Sequence, residues 1–505
     1  MRCVARREHG GRGPTGARVR RITSETCVGP LRKGGGRARQ AWGATGVRRA
    51  TSAQPHPPKC STRLTQVYSG GALSICAARI SLRVSRARAA RVYPLAAHVE
   101  AEEAEANAET LREPVRIRIA GEWYDARAYA RAHPGGARWI RWFDGRDATA
   151  VFYALHSYGA NGSKKAAERL ARLPKCDPPA GSEVDSGVGA LPSDEEHSRE
   201  VAFRALRERL ENEGFFKRVW WKEAWALGHV LALYAAGTAV AASHPFAACA
   251  LLGLGMQQAG WLAHDYIHGR GKWCEMMRPI GAFLNGHSAE WWTQKHSLHH
   301  CFTNEEELDH DIMMEPFYFL RSPSESGRPD SKYRKYQHIY GYPLISIMFW
   351  LWRWLSFKDV LKRGDRKEAV LLGCHYAFLF TCLPLPVAIG SVFVGGFLVG
   401  SLVSATHQSE EIMVQGDQPD YVTGQFRSTR DADTVFGPLE TWLWGGMDTQ
   451  LAHHLFPSMP RYNYHRLRPI LQAWAADQGT VYRISPSTKI IADNFNTLRR
   501  VAMAP

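Results

Sequence analysis

Seven histidines in three short clusters, with an eighth between the last two, carry most of the chemistry this sequence can perform. His264 and His268 stand four apart in WLAHDYIH. His296, His299 and His300 follow in QKHSLHH, and His453 and His454 lie in QLAHH, headed by Gln450. On a helix, spacings of three and four place side chains on one face, so each cluster can aim two or three imidazoles at a common point. His407 is the eighth. Imidazole suits zinc, copper, iron and nickel, and eight ligands exceed what one tetrahedral metal accepts; two metals is the economical count. Asp265, Asn304 and Asp311 are candidates to accept the outward N–H of such ligands. His287, His310 and His375 fall outside the clusters and read as structural. A separate signal is His133-Pro134-Gly135-Gly136, with Trp123-Tyr124-Asp125 before it and His156 after it within GRDATAVFYALHS.

The clusters must be brought together, and two apolar runs suggest how. Between Glu223 and Asp265, and again between Glu368 and Glu410, the chain has no Asp, Glu, Lys or Arg. Each run is twice the ~20 residues of one membrane crossing, with a turn signal near its middle: Ser243-His244-Pro245 in the first, Pro384-Leu385-Pro386 in the second. Each therefore reads as a helical hairpin, about four spans in all. A third stretch, Ile339–Leu355, is interrupted by Arg353 and reads as interfacial, with Trp350, Trp352 and Trp354 at headgroup depth. A hairpin returns the chain to the side it left, so the histidine clusters, and whatever precedes residue 200, are expected on one membrane face. The Lys and Arg flanking the runs on that side agree with the positive-inside tendency.

The formal net charge of +16 is local. Residues 1–100 hold 20 Lys+Arg and three acids, Glu8, Glu25 and Glu100. The rest of the chain is nearly neutral, which argues against nucleic acid as a partner. An Arg-rich, acid-poor beginning reads as an organelle transit peptide, with a processing point near Ala96–Ala97. The ten cysteines are scattered and form no CxxC pair, which excludes a disulfide scaffold or a zinc ribbon. The expected organisation is a leader over 1–110, a small soluble domain over 111–175, a Pro-rich acidic linker over 176–200, and a membrane domain over 201–505.

HDYIH, HSLHH and QLAHH resemble the three histidine boxes of membrane fatty acid desaturases. Gln450 resembles the front-end subgroup, as do AGWLAHDYIH, WWTQKHSLHHCFTN and HHLFPSMPR; the likeness covers about 115–480. Where relatives often read Asp-Pro-Asp after the second box, this chain has Asp309-His310-Asp311. HPGG with its partner histidine resembles cytochrome b5. These resemblances imply a mainly α membrane protein of two transmembrane helical hairpins with a same-side di-iron cap, plus an N-terminal α+β cytochrome b5-like domain. They imply two iron ions held by His264, His268, His296, His299, His300, His407, His453 and His454, with Gln450 as a weaker candidate. They also imply haem b on His133 and His156, O₂ as co-substrate and a reductase as electron source. The implied activity is insertion of a double bond, at delta-4 or delta-6, between an existing double bond and the carboxyl end of a polyunsaturated chain in an acyl-lipid or acyl-CoA. The rivals are a sphingolipid long-chain-base desaturase and a membrane hydroxylase. The leader points to a plastid membrane, with the endoplasmic reticulum as the alternative.

Overall fold

A computed structural model describes residues 115–133, 136–156, 165–179, 193–414 and 419–505. The leader, Pro134-Gly135 of the HPGG motif and the middle of the expected linker lie outside the described residues.

The small domain begins with an antiparallel hairpin, β1 (Arg116–Ile119) and β2 (Glu122–Asp125), in register from Arg116 opposite Asp125 to Ile119 opposite Glu122. Ala120 and Gly121 between them both take positive φ; glycine supplies the second without steric cost. Four short helices follow: α1 (Arg127–Ala130), α2 (Ala137–Trp142), α3 (Thr149–Leu155) and α4 (Lys165–Leu170). Ile117, Ile119, Ala130, Ile140, Phe143 and Val151 form its core, which runs on into Leu298, Cys301 and Phe302 of the larger domain.

Helix α5 (Asp194–Asn212) starts inside the stretch expected to be linker. Ser193 and Glu196 close a capping box at its first turn, satisfying backbone donors that would otherwise be orphaned. Its Phe203, Leu206 and Leu210 recur at helical spacing and are buried; Phe203 stacks on Phe456 at 5.4 Å.

Each uncharged run forms two helices joined by a short turn: α6 (Trp220–Ala239) with α7 (Pro245–His268), and later α12 (Arg366–Thr381) with α13 (Leu385–Ala405). Among the described residues, α7 and α13 are the two helices long and apolar enough to cross a membrane. Helix α12, at 16 residues, is shorter than a straight crossing. Small residues let α7 and α13 run side by side in the same direction. A Cβ on Gly253 would meet Val394, one on Gly395 would meet Met256, and one on Gly390 would meet Cys249. Both helices therefore end at the same level, with His264 and His268 on one and His407 just beyond the other.

Between the pairs lie α8 (Lys272–Asn285), α9 (Ala289–Cys301), α10 (Pro323–Ser326) and α11 (Gln337–Arg363). The stretch expected at the interface is the middle of the 27-residue α11, and it packs along α13: Gly400 has no room for a Cβ beside Ile345, nor Gly396 beside Phe349. Only Trp354 of the three tryptophans is exposed. Arg353, which interrupts the apolar pattern, is 1 % exposed, donates to Asn285 O at 2.9 Å and lies 4.1 Å from the Phe349 ring centre. The charge that interrupts the stretch is thus buried against an aromatic ring.

After α13 the chain forms α14 (Tyr421–Ser428), β3 (Asp431–Asp433), α15 (Pro438–Trp444), α16 (Gln450–Leu455), α17 (Tyr464–Asp477), β4 (Ile484–Pro486) and α18 (Ser487–Met503). Strands β3 and β4 pair in parallel. Asp431, at the start of β3, accepts from the Leu451 backbone N–H at 2.9 Å, which pins the first turn of α16 and its two histidines.

Candidate metal centre

The eight histidines, distant in sequence, come together where α7, α9, α13 and α16 meet. All eight are buried. Their donor atoms fall into two groups within 4.8 Å of one another: His264, His268, His296, His300 and His453 in one, and His299, His407 and His454 in the other. His264 Nε2 is 2.6 Å from His296 Nε2, which is 3.2 Å from His300 Nε2. In the second group the rings of His299, His407 and His454 are 4.7 to 5.0 Å apart, centre to centre. Helical periodicity distributes the middle cluster: His296 and His300, four apart, face the first group, while His299 turns to the second.

The three-histidine group has a further donor. Gln450 Nε2 lies 2.8 Å from His407 Nε2 and its Oε1 is buried without a partner. Turning the amide exchanges the two atoms, so the side chain can present oxygen to the same point.

Four outward ring nitrogens are held by neighbours. His299 Nδ1 meets Asp309 Oδ2 at 2.8 Å, and Asp311 stands farther off at 3.8 Å. His407 Nδ1 is 3.0 Å from Ser428 O, His453 Nδ1 is 3.1 Å from Tyr464 Oη, and His454 Nδ1 is 2.8 Å from Gln425 Oε1. The three oxygens that can only accept, on Asp309, Ser428 and Gln425, put the proton on Nδ1 and free Nε2. The inward Nε2 atoms of His268, His453 and His454 have no partner in the protein. Burial holds His296, His300, His453 and His454 well below the usual imidazole pKa, and His407 near 3, so these side chains are neutral and able to ligate. Buried, neutral, unpartnered nitrogens converging twice are a fit for two metal ions.

The three residues singled out as supports divide. Asp311 pairs with Lys295, and the nearer carboxylate on His299 is Asp309. Asp265 accepts from Arg218 at 2.9 Å and from the Arg461 backbone at 3.3 Å, tying the end of α7 to the segment after α16. Asn304 donates to His407 O at 2.9 Å and to Glu411 O at 3.0 Å, holding the loop after α13. Gln425 and Tyr464 went unnoticed, since no local spacing marks either one.

Both groups open onto one cavity of about 1090 Å³, with His264, His296, His299, His407 and Gln450 in its wall. Trp261, Ile267, Phe349, Trp352 and Val399 make much of the rest apolar, and Lys295 and Asp311 give it a polar patch. His287 also lines it, buried between Trp291 and Phe349, and His310 reaches the same wall. His375 packs beneath Gly286, outside the cavity lining.

The small domain brings His133 and His156 together edge-on, with ring centres 6.3 Å apart and ring planes at 67°. His133 Nδ1 is 3.2 Å from Gly136 O and His156 Nδ1 is 2.9 Å from Phe152 O. The backbone carbonyls thus take up both Nδ1 atoms and leave Nε2 for a ligand. Burial lowers both pKa values, that of His156 to about 4. A gap of this width would accept one metal with a nitrogen at ~2 Å on either side, so His133 and His156 could together hold a haem iron.

The profile described as "Fatty acid desaturase" matches residues 241–486, and that described as "Cytochrome b5-like Heme/Steroid binding domain" matches residues 101–175. The chain is 28 % identical to an acyl-lipid 8-desaturase of Rebecca salina, over 76 % of this chain and 91 % of that protein. It is 27 % identical to a delta-6 fatty acid desaturase of Caenorhabditis elegans, over 77 % and 96 %. Against a delta-8 fatty acid desaturase of Euglena gracilis the identity is 28 %, over 66 % and 82 %.

Proposed function

We propose that this chain, a front-end fatty acid desaturase with a fused cytochrome b5-like domain and an oxygen-dependent oxidoreductase with haem and di-iron cofactors, inserts a double bond between an existing double bond and the carboxyl end of a polyunsaturated acyl chain. The observation that carries this reading is the pair of histidine groups opening onto one largely apolar cavity. The relatives' names span delta-5, delta-6 and delta-8 positions. Of the two positions the sequence points to, we favour delta-6, the one that also appears among those names.

In this reading His264, His268, His296, His300 and His453 hold one iron, and His299, His407, His454 and the Gln450 amide hold the other. With O₂, a bound iron pair supplies the oxidising power to break unactivated C–H bonds, which no acid–base side chain can do. The protein's own part is position. Asp309, Ser428 O, Tyr464 and Gln425 fix four imidazole planes. Trp261, Ile267, Phe349 and Val399 exclude water and line the path of the acyl chain. The distance from the site that holds the headgroup to the histidines sets which methylenes react.

The helix pairs α6–α7 and α12–α13 serve as membrane hairpins, with the boxes and the haem domain on one face. His133 and His156 would hold the haem, which would supply one-electron transfer from a separate reductase. The organisation is a leader to about 110, a haem domain to about 175, and the membrane enzyme from about 201. The basic leader supports a plastid membrane over the endoplasmic reticulum; a fluorescent fusion of residues 1–110 that stays in the cytosol would count against targeting.

Expression in a host poor in polyunsaturated lipids, followed by mapping of double bonds by lipid class, tests the activity. New acyl double bonds on the carboxyl side of existing ones support it. Modified sphingoid bases or hydroxylated chains refute it.

A further inference from the structure

We propose that the small domain works from a fixed seat at the end of the second histidine box, not from the end of a swinging linker, and that Phe302 is the positioning residue of that seat. This rests on the haem reading of His133 and His156 given above.

The seat begins where the box ends. Phe302 caps α9, two residues beyond His300, and is 4 % exposed. Its ring stacks on Phe143 at 5.4 Å, meets Trp142 edge-on at 6.3 Å and lies 5.5 Å from the Arg146 guanidinium. Leu298 and Cys301 share one core with Ile140, Phe143 and Val151 of the small domain. Tyr421, at the start of α14, packs against the same core and donates to His454 O at 2.8 Å. The interior of the small domain is therefore continuous with the backbone that carries His299, His300 and His454.

A second contact lies on another side. Ala150 and Ala154 of α3 join the core that holds Phe203 and Leu206 of α5. Arg204 of α5 donates to Tyr153 Oη at 3.0 Å, and its guanidinium lies 4.1 Å from the centre of that ring. Helix α2 follows His133 and α3 ends at His156, so the two elements that frame the histidine pair are both held. Aromatic contacts on separate faces fix orientation as well as proximity. With the seat closed, each electron passes from ferrous haem, left ferric, to a ferric non-haem iron, left ferrous, without a docking event.

The test uses the purified full chain loaded with haem and iron. Cys301, buried in the seat with a free thiol, reports its opening. Truncating a buried aromatic anchor weakens an interface by about 30-fold. A thiol reagent should therefore modify Cys301 about 30-fold faster in Phe302→Ala, followed by mass spectrometry, whereas Phe302→Tyr, which keeps the ring, should stay near wild type. Stopped-flow oxidation of the reduced haem, on mixing with O₂ and substrate, reads the transfer itself. Tripling the connection at residues 180–192 with Gly-Ser repeats lowers the effective concentration of an unseated domain about fivefold. This should leave the rate unchanged in wild type and slow it about fivefold in Phe302→Ala. A wild-type rate that falls with linker length would overturn the fixed seat. Equal Cys301 modification in wild type and Phe302→Ala, or a Phe302→Ala rate indifferent to linker length, would overturn the role of Phe302. Should Phe302→Ala lose its iron, Phe143→Ala, from the other side of the stack, carries the same comparisons. Absence of haem from purified wild type would instead refute the parent reading, and the thiol comparison would still decide the seat.

Discussion

Replacing Asp309 by alanine removes three hydrogen bonds at once. Its Oδ2 accepts from His299 Nδ1 at 2.8 Å and from the Asn304 backbone N–H at 2.8 Å, and its Oδ1 accepts from the Asp311 N–H at 2.9 Å. The carboxylate is fully buried, so the two backbone donors lose their partner in a site where water has little access. A hydrogen bond to a charged group contributes about 1.5–3 kcal/mol. Losing the partner of a metal-bound imidazole costs about 10–100-fold in metal affinity, which is about 1.4–2.8 kcal/mol at 1.4 kcal/mol per tenfold. The two figures agree, so the expected result is a 10–100-fold weaker hold on one iron. Asp309→Asn keeps one acceptor oxygen and should fall between alanine and wild type. Asp311→Asn, at 3.8 Å from His299, should change affinity less than threefold. Chelator competition on purified protein, followed by non-haem iron analysis, measures this directly, and an unchanged haem spectrum verifies folding. Wild-type iron retention in a folded Asp309→Ala variant would refute the reasoning that this carboxylate holds His299 in place.

Gln450→Ala should lower non-haem iron toward one per chain and abolish product, whereas Gln450→His should retain both ions; metal analysis of the two variants separates a ligand from a bystander. Gly400→Ala should destabilise the helical core by about 1–3 kcal/mol through overpacking against Ile345, seen as a lower melting temperature in detergent, and Ile345→Ala in the same chain should restore part of it. Acid should weaken the haem-free small domain. Its two histidines have lowered folded pKa values, so the unfolded chain takes up protons first as pH falls below about 6.5, and stability is lost between there and about 4. A melting temperature for haem-free protein that is the same at pH 7 and pH 5 would contradict this. His156→Ala should lose the haem absorbance while keeping the non-haem iron, and loss of both would argue against separate sites.

Much of this site is legible in the sequence because local spacing suffices for it. His264 with His268, and His296 with His300, are four apart on helices, so each pair shares a face before any tertiary structure is known. The uncharged runs around Pro245 and Pro384 mark helix–turn–helix units. What local spacing cannot give is which side chain from elsewhere comes to rest against a ring. Asp309 and Asp311 flank one position, and only the turn after α9, in which Asn304 takes a positive φ and donates to Asp309, decides between them. Gln425 and Tyr464 reach His454 and His453 from other elements, 29 and 11 residues away, for the same reason. Arg353 breaks the apolar pattern of its stretch, and only the packing shows that Asn285 O and the Phe349 ring accommodate it. Likewise the acidic stretch after Pro192 looks like linker by composition, yet Ser193 and Glu196 form a helix start.

Non-haem iron counted on purified, active protein tests the central claim most directly. Two irons per chain beyond the haem, with one of them and the activity lost when His299 is replaced by alanine, are the expected result. Active protein containing haem iron alone, or zinc at the histidine groups, would contradict it.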